Sequence, residues 1–173
     1  MGRGSSSATA ADLAPVNASR SENWSIAFDD IPDPDFADAQ FVSIPETQHQ
    51  VPTDPAWWAR QVFSVASAPA WVRALLGLRQ ALVGVIGVQR GDASVFEVDR
   101  VETSEALIAA DDRHLDFRAA VGIDSGSRIL RVTTTVRLHG WRGKLYFGIV
   151  SWLHGPVTRS MAKRAVTRFV ART

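Results

Sequence analysis

The chain has 173 residues, no cysteine, 46% hydrophobic residues and a formal net charge of +1. That length suits one domain able to bury a core without covalent staples, and the lack of thiols excludes disulfides, thiolate metal sites and cysteine nucleophiles. The small net charge hides a division, with seven basic and sixteen acidic side chains in residues 1–112 against twelve and two in residues 113–173, so the two halves should attract each other.

Residues 1–30 are rich in Ser, Ala, Asp and Asn and read as a disordered arm ahead of a single domain over residues 31–173. The opening MGRGSSSATAADLAP lacks the apolar stretch of a secretory signal. Met1-Gly2 with Ser6 matches a minimal myristoylation pattern that is too short to carry weight. Trp24, Ile26 and Phe28 alternate as in an edge strand, and after Ile31-Pro32-Asp33-Pro34 a first strand is predicted through Ala39, Phe41 and Ile44, ended by Pro45. Asp54-Pro55 combines an N-cap residue with proline at the first helical position and predicts a helix to about Val65. A second, amphipathic helix is predicted over Ala70–Ile86, with Trp71, Leu75, Leu76, Leu82, Val83 and Ile86 on its apolar face. The most apolar run, Ala74–Val88, contains Arg79 and Gln80 and is too short to span a bilayer.

The chain then turns to β. Val95–Thr103, Ala106–Ala110 and His114–Ile123 read as successive antiparallel strands, and Arg128–His139 alternates with period two, placing Leu130, Val132, Thr134, Val136 and Leu138 on one face. Gly140-Trp141-Arg142-Gly143 suits a tight reversal into a sixth strand, Lys144–Leu153, apolar on both faces. Pro156 would then open a helix to Arg172, with Val157, Met161, Ala165 and Phe169 on one face and five basic residues elsewhere. The order β-α-α-β-β-β-β-β-α predicts an α+β fold, a curved antiparallel sheet gripping a long C-terminal helix, with two tandem helices after the first strand. A space between helix and sheet would suit a small hydrophobic or aromatic molecule.

This element order resembles the helix-grip, START-like (SRPBCC) superfamily, which includes lipid-transfer domains and aromatic polyketide cyclases. More closely, the runs APAWVRALLGLRQALVGVIG, DDRHLDFRAAV and LYFGIVSWLHGPVTRSMAKRAV are similar to an uncharacterised bacterial family known only as a domain of unknown function. The resemblance covers roughly Phe36 to Arg172. It implies the fold and brings no established catalytic residues. The family's Pro-aromatic-His pattern at the end of the last strand is less regular here, as Ser151-Trp152-Leu153-His154.

Several residues stand out as ligand contacts. His114 and Asp116 lie two apart, as an imidazole and an orienting carboxylate would on one strand face, with Arg118 beyond them. On a solvated face the same residues would only form cross-strand charge pairs. Arg79 has its Cα on an apolar helix stripe and needs a carboxylate or an anionic ligand if buried. Thr134, Tyr146, Ser151 and Trp152 are the polar or amphipathic side chains in otherwise apolar strands. The four histidines are scattered and predict no metal site, and no phosphate-loop or GxSxG spacing occurs, so no cofactor is expected. The basic C-terminal helix would suit an anionic partner. Its arginines are not interleaved with aromatics, so nucleic acid is not expected.

Three functions fit: a non-catalytic module binding a small hydrophobic or aromatic, even acidic, molecule; a metal-independent cyclase- or dehydratase-like enzyme, as the resemblance implies; or an interaction domain whose interior is plugged by Trp57, Trp71 and Trp152. The lack of cysteine fits a cytoplasmic location.

Overall fold

A computed structural model describes residues 24–70, 73, 97–102 and 104–172, and of Val65, Arg142, Tyr146 and Ile149 only the backbone. Residues 1–23 of the expected arm and nearly all of the expected helix over Ala70–Ile86, with Arg79 and Trp71, lie outside the described residues.

Where the sequence alternates, strands form: β1 (Phe36–Ser43), β2 (Arg100–Glu102), β3 (Glu105–Asp111), β4 (Leu115–Asp124) and β5 (Ile129–Leu138). They pair antiparallel in one sheet of order β1-β5-β4-β3-β2. β1 returns to the far side of β5, with Phe36 opposite Val136 and Val42 opposite Leu130, while the other edge of β5 pairs with β4, Ala119 opposite Thr134. The described chain is α+β, with this open sheet and a C-terminal helix in a helix-grip-like arrangement.

The expected sixth strand is not one. Gly140–Val170 forms a single helix of 31 residues, α3, that includes Lys144–Leu153 and carries Pro156 in its interior. Topology gives the reason: a returning hairpin strand needs a free edge of β5, and β1 already occupies it. An unbroken apolar run fits either period, and burial here follows the helical one. Gly143, Phe147, Thr158, Ala162, Ala165, Val166 and Phe169 are the buried positions. Gly140, in the left-handed region at φ +64°, turns the chain out of the sheet after β5. Gly143 then passes so close to the β3–β4 turn that a Cβ there would collide with the carbonyl oxygen of His114. Pro156 offers no N–H to the carbonyl of Trp152 one turn earlier, yet the helix runs through it.

The helix α2 (Pro55–Val62) starts as expected, the Asp54 carboxylate accepting the Ala56 N–H at 2.9 Å, and ends before Val65, which opens a short 3-10 turn to Ser67. It lies on the same face of the sheet as α3. There Val42, Ile108, Ala119, Val121, Leu130 and Val132 meet Trp58, Val62, Ala162, Ala165 and Phe169 in one core. Trp58, with no exposed surface, packs on Phe169 at 5.5 Å between ring centroids, and Trp57 stands against both rings.

The opposite face is covered in part by residues expected in an edge strand. Trp24, Ile26 and Phe28 do not pair with the sheet; Ala27–Asp30 forms a short helix, α1. Ala27 is fully buried against Leu107 and Ala120, and its carbonyl accepts the Thr135 hydroxyl at 2.9 Å. Asp30 accepts from the Arg118 guanidinium at 2.8 Å and pairs with Arg100 at 3.2 Å. The acidic and basic halves of the chain thus attract at this point, as their compositions predict.

Candidate functional site between the edge strand and the C-terminal helix

The side chains singled out by sequence do not converge. His114 lies in the bend before β4, where its carbonyl accepts the His139 N–H at 2.8 Å. Asp116 points to the outer face of the sheet and pairs with His139 Nε2 at 2.9 Å, and Arg118 on that same face binds Asp111 and Asp30. These pairs make a charge network on the outer face that joins neighbouring strands and α1. Thr134 is buried on the helix side, in register with Asp38 of β1. Ser151 donates to the Gly148 carbonyl of its own helix at 3.1 Å, and Trp152 is 86% exposed, pointing to solvent. The Tyr146 side chain and all of Arg79 lie outside the described residues.

A different group assembles where α3 crosses β1. His154, one turn before Thr158, sets its ring edge-on to Phe36 at 5.5 Å between centroids, and Phe36 in turn stacks against Phe147 at 5.0 Å. Its Nε2 is buried with no hydrogen-bond partner among the described residues. Burial pushes the imidazole below its ordinary value, and the nearby Asp38 carboxylate pulls the other way without overcoming it. The ring is accordingly neutral near pH 7. Asp38 accepts from the Gln40 side-chain amide at 3.0 and 3.2 Å to its two oxygens. At Gly155 a Cβ would make only ordinary contact, 3.4 Å from Gln40 Nε2 and 3.6 Å from Asp38 Oδ2, so the crossing of helix and strand does not depend on glycine.

Immediately outside this group is a surface cleft of about 460 Å³, lined by Gln40 of β1 and by Gly155, Pro156, Arg159, Ser160 and Lys163 of α3. The basic residues of α3 divide in their duties. Arg168 donates to the hydroxyls of Ser64 and Ser67 at 3.0 and 3.1 Å, and Arg164 to the Ala68 carbonyl at 3.4 Å, so both tie the helix to the turn after α2. Arg159 and Lys163 are exposed and have no carboxylate partner among the described residues. A second cleft, about 500 Å³, opens beside Phe41, Gly122, Asp124 and Arg131. Its cation is already engaged, since Arg131 binds Glu105 at 2.6 Å and lies over the Trp24 ring at 5.3 Å.

Chemically, the β1–α3 cleft offers two free cations, an amide and a hydroxyl at its surface, and a neutral imidazole with a carboxylate behind them. His154 and Asp38 are the pair that sequence reasoning missed. With Lys144–Leu153 read as a strand, His154 fell at a sheet end rather than on a helix face over β1. The available signal was its place on one helix face with Phe147 two turns before it and Thr158 and Ala162 one and two turns after.

No curated protein and no solved structure matches this chain. A family model described as "Protein of unknown function (DUF2867)" matches residues 31–161, about three quarters of the sequence and the whole of the β1–α3 cleft up to Ser160. The chain therefore belongs to the DUF2867 family.

Proposed function

We propose that this protein is a non-catalytic binding module that holds a small acidic molecule with a hydrophobic or aromatic body in the cleft between β1 and α3. The observation that carries this is the pair Arg159 and Lys163, two cations one turn apart over Gln40 and Ser160 with no carboxylate partner among the described residues. A carboxylate or phosphate placed there would receive charge-assisted hydrogen bonds, each of the stronger class. The filled interior around Trp57, Trp58 and Phe169 favours the rim over a deep central site. A place in the START-like superfamily, a bacterial source and a cytoplasmic setting are part of the same proposal. They are supported by the helix-grip-like arrangement, the sequence resemblance and the lack of cysteine.

Titration with benzoate and octanoate, followed by amide-proton NMR shifts at Gly155 and Ser160, tests it. Saturable shifts are expected, with affinity lowered about tenfold or more in Arg159→Gln/Lys163→Gln, the loss of one or two charge-assisted bonds. Native mass spectrometry of the full chain from cells should show a retained acid that the double variant loses. Shifts that persist unchanged in the variant would place binding elsewhere.

The second reading is a metal-independent acid–base enzyme of the cyclase or dehydratase type. Its support is the neutral His154 with Asp38 beside it, an imidazole present near pH 7 in the unprotonated form that a general base needs. Turnover would then vanish in His154→Phe while acid binding at Arg159 and Lys163 persists.

A further inference from the structure

Three polar side chains lead from the β1–α3 crossing to the cleft. Asp38 and Gln40 stand two apart on β1, so both lie on the strand face that α3 crosses, and the Gln40 amide donates to the two Asp38 oxygens at 3.0 and 3.2 Å. His154 approaches them from the helix, since a Cβ on the next residue, Gly155, would stand 3.4 Å from Gln40 Nε2 and 3.6 Å from Asp38 Oδ2. Its own Nε2 is buried and has no hydrogen-bond partner among the described residues. Of the three side chains, Gln40 also lines the cleft.

A neutral ring asks nothing of Asp38, but an imidazolium does. Once protonated, both ring nitrogens are donors, and a buried charged donor without an acceptor is costly. The ring's neighbours Phe36 and Phe147 offer no acceptor. Asp38 is the one titratable side chain of β1, the β5 residues in register beside it are Thr134 and Val136, and every charged side chain of α3 is a cation. Asp35, just ahead of β1, already accepts the Leu138 N–H at 2.7 Å. Among the described residues Asp38 is therefore the carboxylate placed to receive the new N–H, and its charge already favours the protonated ring.

We propose that Asp38 is a proton-linked switch for the cleft: when His154 takes up a proton, Asp38 turns from the Gln40 amide to the imidazolium, and the freed amide joins Arg159 and Lys163 in holding an acid, which binds more tightly as pH falls. A bond between two ionised groups is stronger than one from a neutral amide to the same carboxylate, which gives the exchange its direction. Linkage makes the effect reciprocal, so a bound acid in turn raises the proton affinity of His154. Gln40 touches the acid, while His154 and Asp38 act through it as positioning residues. The acid-binding half rests on the small-molecule site proposed above; the exchange of partners by Asp38 does not.

NMR of the full chain without ligand tests the exchange, with no variant needed beyond Gln40→Leu to identify the Gln40 side-chain amide signals. Between about pH 8 and about pH 5 those signals should move with the same midpoint as the His154 ring protons, and in His154→Phe, which keeps a ring beside Phe36, they should no longer follow that midpoint. Benzoate titration then tests the linkage. Its affinity should be about tenfold higher at about pH 5.5 than at about pH 7.5, the worth of one added charge-assisted bond, and this gain should be lost in both His154→Phe and Gln40→Leu. Saturating benzoate should move the His154 midpoint upward by the matching amount. A Gln40 amide that stays still while His154 titrates overturns the switch, and so does a benzoate affinity that gains as much in His154→Phe as in the parent. Absence of benzoate binding at both pH values, with Gln40 still following His154, would overturn the acid site and leave the exchange of partners standing.

Discussion

Glu105 and Arg131 meet at 2.6 Å on the outer face of the sheet, with the Glu105 side chain only 5% exposed. The other carboxylate oxygen of Glu105 accepts the Ile26 N–H at 2.7 Å, so one buried acid ties β3, β5 and the segment leading into α1. Removing it leaves a guanidinium and a backbone donor without their acceptor. Glu105→Ala should therefore cost about 2–4 kcal/mol, below the largest losses for buried pairs because Arg131 keeps some access to water. Glu105→Gln, which retains one acceptor, should cost roughly half as much. Urea unfolding gives both values, and an alanine variant within about 0.5 kcal/mol of the parent would mean that the contact does not hold α1.

His154 predicts a pH dependence. Its folded-state pKa lies below the ordinary 6.5, chiefly because burial disfavours the charged ring. The unfolded chain then takes up the proton first, so this stabilisation is complete above about pH 6.5 and is lost as pH falls through that value toward the folded pKa. The urea midpoint of the parent should drop between about pH 7 and pH 5, and His154→Phe, which keeps a ring beside Phe36, should remove that part of the drop. Asp30 acts in a lower window. Burial raises its pKa, but hydrogen bonding and charge from Arg118 and Arg100 outweigh this and hold it below 3.8, so its contribution fades only in stronger acid. A His154→Phe variant whose midpoint falls between pH 7 and pH 5 as much as the parent's would show that the ring is not buried neutral.

Trp58 anchors the core and also carries a polar duty, its indole N–H donating to the Pro52 carbonyl at 2.8 Å. Trp58→Ala should cost about 3–5 kcal/mol, and Trp58→Phe about 1–3 kcal/mol from the lost bond and volume. If Trp58→Phe proved as damaging as Trp58→Ala, the hydrogen bond rather than the packing against Phe169 would be the larger part.

The strands β4 and β5 were legible because they alternate and their inner residues, Ala119, Val121, Leu130 and Val132, face one core. The Asp54-Pro55 start of α2 was legible from local chemistry alone. The first half of α3 was not. Leu145 to Leu153 is apolar at nearly every position, a pattern that a buried strand and a helix with one unpartnered apolar face share, and the glycines at 140 and 143 imitate a hairpin turn. What decides between them is that β1 takes the free edge of β5, a pairing between segments about ninety residues apart with no local trace. The same distance hides the candidate site, since Asp38 and His154 become neighbours only once α3 crosses β1.

Two glycines of α3 separate the helix from the misread hairpin by opposite responses to the same substitution. At Gly143 the backbone lies against the His114 carbonyl, so an alanine methyl must displace main chain in the β3–β4 turn, and Gly143→Ala should destabilise by about 2–3 kcal/mol. At Gly148 nothing lies within 4 Å of where a Cβ would be, and the position is exposed in mid-helix. There Gly148→Ala should stabilise by about 0.5–1 kcal/mol, the helix-propensity difference between the two residues. In a β-hairpin Gly143 would sit in an open turn and its loss would not be expected, whereas alanine gains over glycine in a strand interior as well, so Gly143 is the position that discriminates. Urea midpoints moving apart, one down and one up, are the expected outcome, and both moving down together would remove the support for a continuous helix from Gly140 to Val170.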